Sequence, residues 1–294
     1  MTLNIKSRNG VLFELPPSYG FFGGGTTGSD SNIIDYINKD TTTGNATDKG
    51  DLTVARYALA GITGSTYGFF GGGFTPASNV IDYITLATTT GNATDKGDLT
   101  VARYTPAGVQ GSTYGFFGGG STLSDIIEYI TLATTSGNAI DKGVLTTGRR
   151  HLAGVSGSTY GFFGGGYISA STNIIDYITL STTTGNALDK GDLTIARDGV
   201  AGVSGSTYGF FGGGVALNTI DYITLSTTTG NALDKGDLTV ARGQMAGTSG
   251  SIYGFFGGGN AVTNVIDYIN TTTTTGNASD KGDLTVARRY PTGV

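Results

Sequence analysis

The chain has 294 residues, including 52 Gly, 16 Tyr, 14 Phe, 5 Pro, a single His and no Cys or Trp, with a formal net charge of −5. The glycines do not recur at every third position, which excludes a collagen helix. An apolar fraction of 37%, arranged in regular short runs, excludes a disordered chain. The few basic residues are dispersed, so nucleic acid is not expected as a partner, and the lack of cysteine removes disulfide and thiolate chemistry.

Residues 1–18 do not match the rest of the chain. Residues 1–10 are polar, with no secretory apolar region, and no apolar run approaches the roughly 20 residues of a membrane span, so no membrane insertion is expected. Residues 11–15 read as a strand, which Pro16-Pro17 stops. The stretch 1–18 is expected to be an N-terminal extension.

From Tyr19 the chain repeats. The heptapeptide Tyr-Gly-Phe-Phe-Gly-Gly-Gly begins at Tyr19, Tyr67, Tyr114, Tyr160, Tyr208 and Tyr253, at spacings of 48, 47, 46, 48 and 45 residues. Self-similarity at that period marks a repeat architecture. In the second unit, residues 65–72 predict an aromatic strand, and a variable stretch, 74–78, comes after it. Residues 79–86 are β-branched and aromatic on both faces, as a strand between two sheets requires. Thr-Thr-Thr-Gly-Asn at 88–92 is a turn by composition. Residues 92–99 predict a polar edge strand, and 107–109 a short small-residue strand. No helical period persists.

Four short strands in each of six units predict an all-β fold, a six-bladed β-propeller over residues 19–294. The small-residue strand is expected innermost and the polar strand outermost. A β-solenoid is the alternative, but its coils are usually shorter. The C-terminal residues 288–294 align with 103–109, the approach to an innermost strand, whereas the first unit has Leu15-Pro16-Pro17-Ser18 there. The C-terminus is therefore expected to donate the inner strand of the first blade and close the ring.

These residues resemble a kelch-type repeat: Phe69-Phe70-Gly71-Gly72, then Ile81-Asp82-Tyr83, then Arg103, recurring in all six units. The kelch tryptophan is missing, and Leu99 and its counterparts are expected in its packing place. The phrase Gly-Asn-Ala-Thr-Asp-Lys-Gly-Asp-Leu-Thr at 91–100 resembles repeats in structural proteins of marine bacteriophages, notably those of cyanobacteria. That resemblance implies location on a virion, the alternatives being a soluble cytoplasmic or extracellular protein.

Six carboxylates, Asp35, Asp82, Glu128, Asp176, Asp221 and Asp267, each follow an Ile and precede a Tyr. They could form a crown for cations or catalysis. Pairing with Arg56, Arg103, Arg149, Arg197, Arg242 and Arg288 is favoured, because sites rarely occur in six equal copies. Asn92, Asp95 and Asp98 could ligate calcium, but their order fits no EF-hand loop, and a polar edge with a turn is the better reading. One His and no Cys offer no zinc or copper site, so no metal and no cofactor is expected. The triple glycines lack the following helix that a phosphate loop needs.

The units differ from one another in two stretches, one after the glycines and one after the Arg. In an up-and-down blade both emerge on the same face. That face carries Tyr57, Phe74, Tyr104, Arg150, His151, Tyr167 and Tyr290, which suit sugar rings or a protein partner. The expectation is a non-enzymatic virion structural or adhesion protein whose partners are other virion proteins or a host-surface glycan or protein. The alternatives are a cellular or secreted lectin-like or kelch-like interaction module, and an enzyme with its site at the mouth of the channel.

Overall fold

The computed structural model describes residues 18–294, together with the backbone of two short strands before them. Those strands, Ile5–Lys6 and Leu12–Phe13, pair antiparallel. The rest of the expected extension over 1–18, including the remainder of the strand over 11–15, lies outside the described residues.

Six four-stranded antiparallel sheets form the blades of a propeller. The second blade shows the pattern. From the centre outward its strands are Ala60–Thr63, Tyr67–Gly71, Val80–Thr85 and Thr94–Asp98. The other complete innermost strands are Ala107–Gln110, Ala153–Ser156, Ala201–Ser204 and Ala246–Ser249. The first blade takes Thr292–Gly293 as its innermost strand, with Thr292 opposite Gly23 and Gly293 opposite Phe22. Val294 and Phe21 exchange two backbone hydrogen bonds, of 2.9 and 3.0 Å. The ring is thus closed by the C-terminal strand. The one helical element among the described residues is the single 3-10 turn Ser121–Leu123.

Phe-Phe fills the space on both sides of each blade. Alternation along a strand sends the two rings to opposite faces, so each blade packs one ring toward each neighbour. Phe69 shares a cluster with Phe117 of the next blade, as Phe116 does with Phe163. All twelve of these rings are 0% exposed, each contributing about 2–3 kcal/mol of burial. Gly71 leaves room for the Phe117 ring, which a Cβ there would approach to 2.6 Å. Leu52, Leu99, Leu145, Leu193, Leu238 and Leu284 are buried among these rings.

A bulge in every blade sets the outer contacts. Ile81 pairs with Gly97 but Asp82 with Asp95, which leaves Lys96 as the extra residue. Its Nζ donates to the Thr134 carbonyl at 2.7 Å, the Thr134 hydroxyl at 2.9 Å and the Ser136 carbonyl at 3.3 Å, all in the turn of the next blade. It also lies 5.5 Å from the centre of the Phe69 ring. All three ammonium donors are used, so the buried charge is tolerated. Lys49, Lys142, Lys190, Lys235 and Lys281 repeat the arrangement, the last reaching Thr41 of the first blade.

Candidate functional site at the variable loop face

The linker between blades decides what this face presents. In the first linker, the Arg56 N–H donates to Ser31 and the Arg56 carbonyl accepts from Gly25, both in the first blade. Its side chain reaches into the second. Nη1 lies 2.9 Å from Asp82, while Nε and Nη2 donate to the carbonyls of Gly72 and Phe70 at 2.8 and 3.2 Å. The Thr53 hydroxyl donates to the other Asp82 oxygen at 2.6 Å. Burial lowers the basicity of the Arg56 guanidinium, and Asp82 partly restores it. The same ion pair joins Arg103 to Glu128, Arg149 to Asp176, Arg197 to Asp221, Arg242 to Asp267 and Arg288 to Asp35, at 2.8–3.1 Å with both partners buried. The last pair ties the end of the chain to the first blade.

Two of the three calcium candidates, Asn92 and Asp95, use a side-chain oxygen to accept from backbone, and the third, Asp98, is bonded through its backbone. Asn92 Oδ1 accepts from the Asp51 N–H of the preceding blade at 3.0 Å, Asp95 Oδ1 accepts from Gly97 N–H at 2.9 Å, and the Asp98 N–H donates to Asn138. Among the described residues no group of three His, Asp or Glu side chains is placed to hold a metal ion.

Two residues after each Arg the chain turns sharply. Ala58, Thr105, His151, Gly199, Gln244 and Tyr290 occupy this apex, all with φ between 56° and 67°. They form a collar of backbone hydrogen bonds around the mouth of the channel. Thr105 N–H donates to the Ala58 carbonyl, Gly199 to His151, Gln244 to Gly199, Tyr290 to Gln244 and Ala58 to Tyr290, at 2.6–3.1 Å. Among the described residues no such bond joins the His151 N–H to the Thr105 carbonyl.

The variable stretches are knitted together. Tyr57 bridges to Phe74, Arg150 to Tyr167 and Thr26 to Arg289. A row of rings crosses the face: Tyr290 lies 5.7 Å from Tyr57, Tyr57 5.4 Å from Phe74, and Phe74 5.0 Å from Tyr104. His151 joins it at 5.7 Å from Tyr290. All five side chains are half-buried. Arg150 and Tyr167 make a separate pair, with the guanidinium 5.0 Å from the ring centre. Burial pushes the Tyr57 and Tyr290 phenols up and the His151 imidazole down. Arg150 adds to the His151 shift, and Asp198 opposes it.

The channel runs from this mouth along the axis. A cavity of about 60 Å³ lies within the collar and continues over Leu59, Pro106, Leu152, Val200, Met245 and Pro291 into one of about 100 Å³. A third, of about 120 Å³, lies beyond the glycines of the inner strands and is rimmed by Thr63, Gln110, Ser156, Ser204 and Ser249. Sequence reasoning placed Gln244 and Thr105 in the variable stretch after the Arg but did not select them as site residues. Their signal was register, since both stand where His151 and Tyr290 stand in their own linkers. It also overlooked the buried lysines, whose signal was their presence in all six units.

No protein-family model matches the chain, and no curated protein sequence does. Among solved structures, that of YjhT matches with a TM-score of 0.65 at 10% identity, covering 82% of this chain and 88% of that one. At that identity the likeness speaks for the propeller fold alone.

Proposed function

We propose that this propeller is a non-enzymatic binding module of a phage particle, presenting its variable face to another virion protein or to a host-surface glycan or protein. The observation that carries the reading is the row Tyr290–Tyr57–Phe74–Tyr104. It lies wholly in segments that differ from blade to blade, on a scaffold otherwise nearly copied six times. The rings hold one another at edge and tilted angles, so a partner meets a surface already ordered and little entropy is lost on binding. The row spans the three linkers that flank the first two blades and the Phe74 loop of the second, which favours one off-axis site over six equal ones. The virion setting is supported by the recurring phrase at 91–100, whose likeness is one of scaffold.

The test is capture of the purified protein by virion components, a glycan array and candidate host cells, beside a variant with Tyr57, Phe74 and Tyr104 changed to Ala. Detection in purified virions and loss of capture in the variant are expected. Unchanged capture by the variant, with its melting temperature kept, would overturn the assignment of the face.

A further inference from the structure

The six linker apices hold a different residue in every blade of a nearly copied ring. One position, with one backbone conformation, holds Ala, Thr, His, Gly, Gln and Tyr. That conformation favours glycine, and a side chain there is strained. Only Gly199 avoids the strain. Thr105, His151, Gln244 and Tyr290 bear it while lining one cavity.

Hydrogen bonding in the wall around the cavity is unfinished. Gln244 Oε1 is buried without a hydrogen-bond partner among the described residues. The backbone collar is open between Thr105 and His151. Burial favours the neutral imidazole of His151, which both donates and accepts. Amide, imidazole, phenol and hydroxyl together carry no fixed charge and offer donors and acceptors beside an aromatic face. Sugar hydroxyls, which also donate and accept, match that set, whereas a carboxylate or phosphate would meet no cation lining the cavity.

We infer that the channel mouth is a binding site for one uncharged sugar residue, its ring against Tyr290 and a hydroxyl edge reaching Gln244 and the gap at His151. The volume of about 60 Å³ admits such an edge and leaves the rest of the ring outside. This rests on the reading of the variable face as a recognition surface, and it names a subsite that shares Tyr290 with the aromatic row but lies inside the collar, away from Phe74 and Tyr104.

The experiment titrates the full chain with glucose, galactose, mannose and N-acetylglucosamine separately, following the ring protons of the single histidine by NMR. Free sugars to about 100 mM reach the weak affinities expected of one residue. An array carrying the same sugars as terminal residues distinguishes free from glycan-borne ligand. Gln244→Gly is the variant, because Gly199 shows that glycine keeps this backbone and His151 stays in place as the reporter. Saturable shifts with one sugar are expected, weakened about tenfold or more in Gln244→Gly and retained in Phe74→Ala. Absence of shifts with every sugar, or equal binding by Gln244→Gly, would overturn the inference. If the Tyr57/Phe74/Tyr104 variant still loses partner capture in that case, the wider reading stands and the mouth subsite alone has failed.

Discussion

A Cβ added to Gly154 would stand 2.0 Å from the carbonyl oxygen of Gly108. The same approach links Gly61 to Gly293, Gly108 to Gly61, Gly202 to Gly154, Gly247 to Gly202 and Gly293 to Gly247, at 1.9–2.1 Å. Six glycines therefore form a closed ring in which each backbone touches the next, and this sets how tightly the blades converge. Backbone cannot yield as a flexible side chain can. Gly154→Ala is expected to cost about 3 kcal/mol or more. Chemical denaturation of the variant checks it, and a loss below about 1 kcal/mol would show that the inner strands can part.

The third blade departs from the others at Glu128. The extra methylene leaves Glu128 Oε1 buried without a hydrogen bond of good geometry, although the ion pair itself forms at 2.8 Å. Among the described residues Glu128 accepts from the Thr100 N–H but lacks the threonine hydroxyl bond that the aspartate accepts in the other five blades. In the fourth blade, by contrast, the Thr146 hydroxyl donates to Asp176 at 2.6 Å. Glu128→Asp should restore that pattern and stabilise the protein by about 1 kcal/mol. A rise in denaturation midpoint with unchanged slope is the expected result.

Removing one partner of a complete pair should do the opposite. Arg149→Met leaves Asp176 buried, with its charge opposed only by hydrogen bonds from Thr146. A loss of about 3–5 kcal/mol is expected. Arg149→Met combined with Asp176→Leu should recover much of it, since an apolar replacement removes the orphaned charge. A double variant no more stable than the single would contradict this account.

How far the chain could be read from its residues depends on the kind of signal each feature leaves. The blades were legible because Phe-Phe, the small-residue strand and the polar strand each match one environment and recur six times. Closure was legible because 288–294 align with 103–109. The buried lysines were hidden by composition. Asp-Lys-Gly reads as a solvated edge, and only the bulge at Ile81/Asp82 turns Lys96 inward. The apices were hidden because Ala, Thr, His, Gln and Tyr do not announce a positive φ. Gly199 alone hints at it. The aromatic row was legible as residues sharing a face, but not as rings leaning on one another.

Closure through the C-terminal strand gives a prediction about residues 290–294. Val294 exchanges backbone hydrogen bonds with Phe21, accepts from the Thr248 hydroxyl at 2.8 Å, and is packed into the core with Phe21 and Phe70. Deleting 290–294 opens the joint between first and last blades and exposes an inner edge. A loss of about 3 kcal/mol or more is expected. A circular permutant cut at another blade boundary should melt close to the parent. Equal melting of the truncated and full chains would show that closure rests on the outer contacts instead.

The single histidine gives the pH dependence its sign. Burial holds the folded pKa of His151 below 6.5. Arg150 acts in the same direction, and Asp198 in the other. Between the folded value and 6.5 the unfolded chain binds a proton that the folded protein does not. The contribution of His151 is therefore full above 6.5 and is lost as pH falls through the folded value. Wild type should lose more stability than His151→Gln between about pH 7 and pH 5, the range in which imidazole titrates. Gln is the chosen replacement because Gln244 already adopts this backbone in the fifth linker. An NMR titration midpoint below 6.5 for the imidazole is the direct check. A midpoint above 6.5 would mean that Asp198 outweighs burial and that the mouth carries a positive charge at neutral pH, which would remove the uncharged lining on which sugar recognition there depends.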